Sequence, residues 1–149
     1  MTEYLENTVD KFIFRVATDR AYSREGVWAI DAGVAGQVRI GLSDFAQQRN
    51  GDATFVHLKP SGTRLAEGDE FGELETVKAN LSLIAPLAGR IVEINGDLEA
   101  NPENINQDPY GKGWLAVVEA ADWQAARARL LEPAAYLEVV RAEAEEESS

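Results

Sequence analysis

Glycines and prolines divide residues 11–118 into short strand-like runs, and this spacing constrains the fold more than any other feature. The chain contains 12 glycines and 5 prolines, and apolar residues alternate within several of the runs, as Phe12, Phe14 and Val16 do. Short alternating runs bounded by Gly and Pro are typical of strands. We therefore predict a mainly β protein, a small barrel or sandwich. The predicted strands cover residues 11–17, 27–30, 37–42, 54–58, 71–77, 81–84, 90–95 and 114–118.

Helix signals occur at a few positions between these runs and dominate the C-terminus. Ser43 is placed to cap a short helix that ends near Asn50. Asp122 is placed to cap a helix through Leu131, and Pro133 suits the first turn of another. We expect one domain over residues 1–149, with a core at about 11–118, C-terminal helices over 122–144 and an acidic solvated tail over 145–149.

Composition excludes several classes of function. A net charge of −12 disfavours binding to nucleic acid or to an anionic membrane, because both require cationic side chains. There is no cysteine, and one histidine, His57, cannot by itself build a multi-histidine metal site. We predict that His57 is structural, and that strand alternation directs Glu73 and Glu75 to solvent.

The chain shows no targeting or membrane signal. No run of 18 apolar residues occurs, and the first residues form neither a basic start nor an apolar stretch. We expect a cytoplasmic protein and a monomer, since no long heptad pattern is present.

Lys78 is the residue whose placement indicates a function. Of the four lysines, we interpret only Lys78 as lying between two strand-like runs at hairpin spacing, with Asn80 able to adopt the left-handed backbone of a tight turn. A lysine at a rigid hairpin tip projects its amine away from the domain, as a tethered cofactor requires. An ordinary exposed turn lysine would be placed in the same way.

The sequence around Lys78 resembles the H protein of the glycine cleavage system and its lipoate-binding relatives. The resemblance covers about residues 22–118, and its segments follow one another in the family's order. Those segments are Gly41–Gln47, Gly68–Gly72, Glu75–Ala79, Pro86–Asn95 and Asn106–Leu115. The family usually has serine where this chain has Thr76, which is a mild change.

The resemblance implies a barrel-sandwich hybrid fold with lipoic acid bound as an amide to Lys78. Glu75, Thr76, Val77 and Ala79 would flank that attachment site. It also implies a carrier that performs no catalysis itself, since the cofactor supplies the chemistry. The implied partners are a lipoate–protein ligase or lipoyl transferase, which attaches the cofactor, and dihydrolipoamide dehydrogenase, which reoxidises it.

The departures from the family pattern bear on the cargo. Arg24-Glu25-Gly26-Val27-Trp28 lacks the family's histidine, and Asn80-Leu81-Ser82-Leu83 differs after the lysine. These features look more like the H-like lipoate-binding proteins of bacterial sulfur oxidation, so we expect a sulfur carrier for a heterodisulfide-reductase-like complex. The alternative is the H protein itself, carrying an aminomethyl group between glycine decarboxylase and aminomethyltransferase. More remote alternatives are an unmodified adaptor and a biotin carrier, although the methionines that usually flank a biotinyl lysine are missing.

Overall fold

The structure, a computed structural model, describes residues 2–148 and contains three antiparallel sheets and four α-helices over that range. The strands are β1 (Tyr4–Val9), β2 (Phe12–Ala17), β3 (Ala21–Tyr22), β4 (Val27–Asp31), β5 (Gln37–Leu42), β6 (Ala53–Leu58), β7 (Arg64–Leu65), β8 (Glu70–Thr76), β9 (Asn80–Ile84), β10 (Gly89–Ile94) and β11 (Ala116–Ala120). The helices are α1 (Asp44–Asn50), α2 (Asn104–Gln107), α3 (Trp123–Arg129) and α4 (Pro133–Ser148), with a 3-10 helix at Gly96–Glu99. None of the helices in this range has the length and apolar character needed to cross a membrane.

Two of the sheets enclose the main core. One has six strands in the order β3-β4-β5-β11-β10-β7, and the other has three in the order β6-β8-β9. Ile40 and Ile91 from the larger sheet and Phe71, Leu74 and Leu83 from the smaller one belong to the same buried cluster. Their burial removes apolar surface from water and holds the sheets together. The predicted mainly β architecture, with short helices and a C-terminal helix, is confirmed.

A second cluster joins the β1–β2 hairpin, the larger sheet and α4. The rings of Tyr22 and Tyr136 stack with their centroids 4.4 Å apart. The indole of Trp28 is fully buried and donates to the carbonyl oxygens of Leu42 and Pro109, both at 3.0 Å. These bonds satisfy the polar end of a large apolar side chain. The C-terminal helix therefore packs into the body of the fold.

The predicted helix starts are confirmed. Ser43 Oγ accepts a hydrogen bond from the amide of Ala46 at 3.1 Å, and Asp122 accepts one from Ala125 at 3.1 Å. Helix α4 begins at Pro133. Each capping side chain satisfies an amide that has no partner within its own helix.

Three short or polar strands were not predicted. Strand β1 has three consecutive polar residues, Glu6, Asn7 and Thr8, so it lacks an alternating pattern; it pairs with β2 and packs on α4. Strands β3 and β7 have two residues each, too few for a periodic pattern. The last strand lies two residues later than predicted, and α3 ends at Arg129, before Leu131.

Helix α4 extends beyond the predicted end at 144 and continues through Ser148, and residues 145–148, predicted as an acidic solvated tail, are exposed on it. Arg49 of α1 forms ion pairs with Glu143 at 3.9 Å and Glu147 at 2.6 Å. Arg141 pairs with Glu138 and Glu145 on the helix surface. These ion pairs stabilise the last turns of α4. The sequence pattern alone gave no indication of them. The last predicted tail residue, 149, lies outside the described range.

Candidate functional site

Lys78 lies in the turn 77–79 that joins β8 to β9, and its side chain is exposed. Val77 beside it is 70% exposed. No ion pair engages the Lys78 ammonium group within residues 2–148. The structure therefore places an accessible primary amine at the hairpin tip, as the sequence predicted.

The side chain of Thr76 closes this turn. Its hydroxyl oxygen accepts from the amide of Ala79 at 3.0 Å and from that of Lys78 at 3.3 Å, and its own amide donates to the carbonyl of Ala79 at 2.8 Å. Short hydroxyl side chains stabilise turns in this way. Asn80 does not adopt the left-handed backbone conformation suggested for it, because it begins β9 in extended conformation. The hydroxyl of Thr76 organises the turn instead.

The segment 51–53, which leads from α1 into the first residue of β6 and is called the loop 51–53 below, supports the hairpin tip. The amide of Val77 donates to the carbonyl of Asp52 at 3.0 Å. The aliphatic part of Lys78 passes over Gly51, and a Cβ at Gly51 would lie 3.5 Å from Lys78 Cγ. Gly51 has φ of +86°, a backbone conformation that favours glycine. The loop thus supports the turn and the aliphatic part of the Lys78 side chain, while the amine of Lys78 stays exposed.

Asn106 is a site residue whose role the sequence did not reveal. Asn106 lies on α2, and its side chain forms hydrogen bonds with the backbone of Gly51 and Ala53, which are more than 50 residues earlier in the chain. The only sequence signal was its place in the matched segment Asn106–Leu115.

The outer face of the three-stranded sheet is acidic. Glu73 and Glu75 are exposed, as predicted, because they alternate with the buried Leu74 on β8. His57 lies opposite Glu73 on the same exposed face. His57 is not packed in the core, since β6 turns it toward solvent while Val56 and Leu58 are partly buried against the core.

A second lysine also lies in a hairpin turn, which corrects the inference that Lys78 is alone in this respect. Lys11 follows Asp10 in the two-residue turn between β1 and β2, where Asp10 has φ of +57°. The sequence hid this turn because β1 was not recognised as a strand. Position in a hairpin therefore does not distinguish the two lysines, whereas the supporting loop under Lys78 does.

The chemistry of the site suits attachment of a group more than bond-making within the chain. Among residues 2–148, no group of three or more histidine, cysteine, aspartate or glutamate side chains could hold a metal ion. An exposed amine without an ion pair fits the formation of an amide with a carboxylic acid cofactor. A small β domain that presents such an amine on a supported hairpin belongs to the class of swinging-arm carriers.

Comparison with known proteins identifies the family. The family model described as "Glycine cleavage H-protein" matches residues 20–143, and the chain belongs to this family. It is a carrier subunit rather than an enzyme, and the cofactor of the family is lipoate held covalently on a lysine.

Several relatives are named glycine cleavage system H protein. The protein from Chlorobium limicola is 42% identical over 125 residues, which cover 84% of this chain and 97% of the relative. The one from Mycolicibacterium smegmatis is 42% identical over 127 residues, which cover 84% of this chain and 96% of the relative. The one from Oceanobacillus iheyensis is 45% identical over 104 residues, which cover 70% of this chain and 81% of the relative.

The fold also matches a solved structure. The crystal structure of a glycine cleavage system H protein from Mycobacterium marinum superposes with a TM-score of 0.71 at 36% identity, covering 80% of this chain and 94% of that one. This match confirms the fold class implied by the resemblance.

The preference for a sulfur carrier was wrong. The relatives at 40–45% identity are named glycine cleavage system H protein, and nothing in the comparisons supports a heterodisulfide-reductase-like partner. The departures that motivated the preference include exposed residues, namely Arg24, Glu25, Asn80 and Ser82. Exposed positions vary with little effect on the fold, so such differences were a poor guide to the cargo.

Proposed function

We propose that the chain is the H protein of a glycine cleavage system and that lipoate is attached to Lys78. The observation that carries the proposal is the exposed amine of Lys78, which forms no ion pair within residues 2–148 and lies at a supported hairpin tip in Glu75-Thr76-Val77-Lys78-Ala79. When bound, lipoate would supply a reducible disulfide, one sulfur of which would carry the aminomethyl group derived from glycine between enzymes.

The residues of the chain present the attachment point and keep it oriented. Thr76 closes the turn by accepting two amide hydrogen bonds, and Asp52 anchors the Val77 amide. The pairing of β8 with both β6 and β9 stiffens the hairpin below its tip. Preorganisation of this kind reduces the ordering required when an enzyme binds the tip.

The proposed partners follow from this function. They are a lipoate–protein ligase or lipoyl transferase, glycine decarboxylase, aminomethyltransferase and dihydrolipoamide dehydrogenase. The relatives' name, glycine cleavage system H protein, supports glycine decarboxylase and aminomethyltransferase as partners. That residues 1–149 form one carrier domain, that it is monomeric and that it works in the cytoplasm remain predictions.

Lipoylation of defined variants tests the attachment site. We expect purified lipoate–protein ligase to add one lipoyl group to the native chain, as measured by intact mass, and to add none to Lys78→Arg. Lys11→Arg is the matched control, since Lys11 also lies in a hairpin turn, and it should be lipoylated like the native chain. Modification of Lys78→Arg, or its loss in Lys11→Arg, would contradict the assignment.

Glycine–bicarbonate exchange tests the pathway. The lipoylated chain should support this exchange with purified glycine decarboxylase, whereas unlipoylated Lys78→Arg should not. A fully lipoylated chain that gives no exchange above background would rule out the glycine cleavage assignment.

A further inference from the structure

The side chain of Asn106 contacts three groups from two other segments. Its Oδ1 accepts from the amide of Ala53 at 2.8 Å. Its Nδ2 donates to the carbonyl of Gly51 and to Oε1 of Gln47, both at 3.0 Å. Asn106 lies on α2, and the other groups lie on α1 and the loop 51–53, so these bonds connect parts of the chain more than 50 residues apart.

The partner amide of Gln47 is itself held in place. Gln47 is buried on α1, and its Nε2 donates to Asp44 Oδ1 at 2.8 Å. With its nitrogen engaged in this bond, Gln47 presents its oxygen to Asn106. Position 106 therefore requires a hydrogen-bond donor and an acceptor on one short side chain, and asparagine supplies both.

The loop that Asn106 binds is the one on which the lysine hairpin rests. The carbonyl of Asp52, between the two backbone groups held by Asn106, accepts from the amide of Val77. Gly51 lies beneath the aliphatic part of Lys78. A continuous set of contacts thus leads from α2 through Asn106 and the loop to the residue next to Lys78.

We propose that Asn106 is a positioning residue for the lipoyl lysine: it holds the loop 51–53 in place, and the loop sets the direction in which Lys78 presents its amine to the modifying enzyme. This inference rests on the function proposed above. Asn106 does not touch the amine, so it acts only through the loop and the turn 77–79.

Removal of the side chain should loosen the tip without unfolding the sheets. In Asn106→Ala the Ala53 amide and the Gly51 carbonyl lose their partner, and local opening of the loop becomes easier. We expect hydrogen–deuterium exchange of the Val77 amide in the unmodified protein to become about 5- to 10-fold faster. Amides of β5 and β11, on the other sheet, should exchange at their native rates.

The kinetics of lipoylation give a second, independent measurement. With purified lipoate–protein ligase, we expect Asn106→Ala to raise KM for the carrier about 5-fold while kcat changes little. Reduced preorganisation weakens recognition of the hairpin, yet the bound amine is unchanged. Asn106→Asp keeps the acceptor and loses the donor, so it should behave similarly and serves as the second variant if Asn106→Ala does not fold.

Asn101→Ala is the matched control. Asn101 lies on the same connection between β10 and β11, and its side chain binds Asp97 rather than the loop. Its exchange and lipoylation kinetics should match those of the native chain.

Two outcomes would overturn the proposal. One is native exchange at Val77 together with native KM in both Asn106 variants. The other is faster exchange throughout β5 and β11, which would show a general structural role. If the native chain itself is not lipoylated, the proposed function fails, and the exchange rates alone then decide whether Asn106 holds the tip.

Discussion

The hydroxyl oxygens of Ser43 and Tyr136 lie 2.7 Å apart in the interior and form a hydrogen bond between α1 and α4. The same Ser43 oxygen accepts from the Ala46 amide at the start of α1. One hydroxyl therefore both caps a helix and anchors another. Since α1 leads directly into the loop 51–53 beneath Lys78, the C-terminal helix is connected to the part of the molecule that presents the lysine.

Tyr136→Phe should lower the free energy of unfolding by about 1 kcal/mol, because the aromatic ring remains while the buried hydrogen bond is lost. Urea denaturation followed by circular dichroism measures the change. Tyr4→Phe, at a tyrosine that is 43% exposed, is the control and should leave stability unchanged within about 0.5 kcal/mol. Equal stability of the Tyr136→Phe variant and the native chain would show that the bond contributes nothing.

Thr76→Val should loosen the lysine turn, because the methyl group that replaces the hydroxyl cannot accept from the amides of Lys78 and Ala79. We expect faster amide exchange at Ala79 and slower lipoylation by the purified ligase, each by about 5-fold. Thr76→Ser retains the hydroxyl and should match the native chain. Native behaviour of the valine variant would refute a role for this hydroxyl.

Gly41→Ala should destabilise the protein by about 1–3 kcal/mol through overpacking. A Cβ at Gly41 would overlap the indole of Trp28, which is fully buried. Gly96→Ala is the control, since a Cβ there would meet nothing within 4 Å. Thermal unfolding compares the two variants, and a Gly41→Ala melting temperature equal to that of Gly96→Ala would contradict the packing argument.

High pH should unfold the protein through its buried tyrosines. Burial raises the pKa of Tyr110 to about 12 and holds the pKa values of Tyr22 and Tyr136 above the usual range. In the unfolded chain these phenols ionise near pH ~10, so ionisation above that pH favours unfolding. The stability that depends on the neutral phenols is thus complete below pH ~10 and declines as the pH rises toward 12.

Tyrosinate absorbance and circular dichroism, recorded together, measure this behaviour. We expect the buried tyrosines to ionise as ellipticity is lost. Ionisation of all four tyrosines near pH ~10 in a fully folded chain would contradict the prediction.

Arg49→Ala should fray the end of α4, because it removes the ion pairs to Glu143 and Glu147. These side chains are about 40% exposed, so the loss in stability should not exceed about 1 kcal/mol and should shrink as salt screens the native pairs. Helical ellipticity at low and high salt measures the effect. A larger loss at high salt than at low salt would exclude an electrostatic cause.

The features of the site that could be predicted are those with local signals. Lys78-Ala79-Asn80 separates two strand-like runs, so the hairpin and the exposure of Lys78 followed from the sequence. Ser43 and Asp122 were recognised as caps for the same reason. The hairpin turn at Lys11 was missed, because β1 becomes a strand only by pairing with β2 and packing on α4.

The sequence by itself determined the β periodicity, the turn that carries Lys78 and the motifs of the family, since each depends on residues close together in the chain. Only the tertiary structure decided what supports that turn. Asn106, Gly51 and Val77 are distant in sequence, and so are Arg49 and Glu147, whose ion pair joins α1 to the end of α4. Hydrogen bonds and ion pairs between remote segments have no periodic pattern in the chain, and they exist only after the sheets and helices have packed.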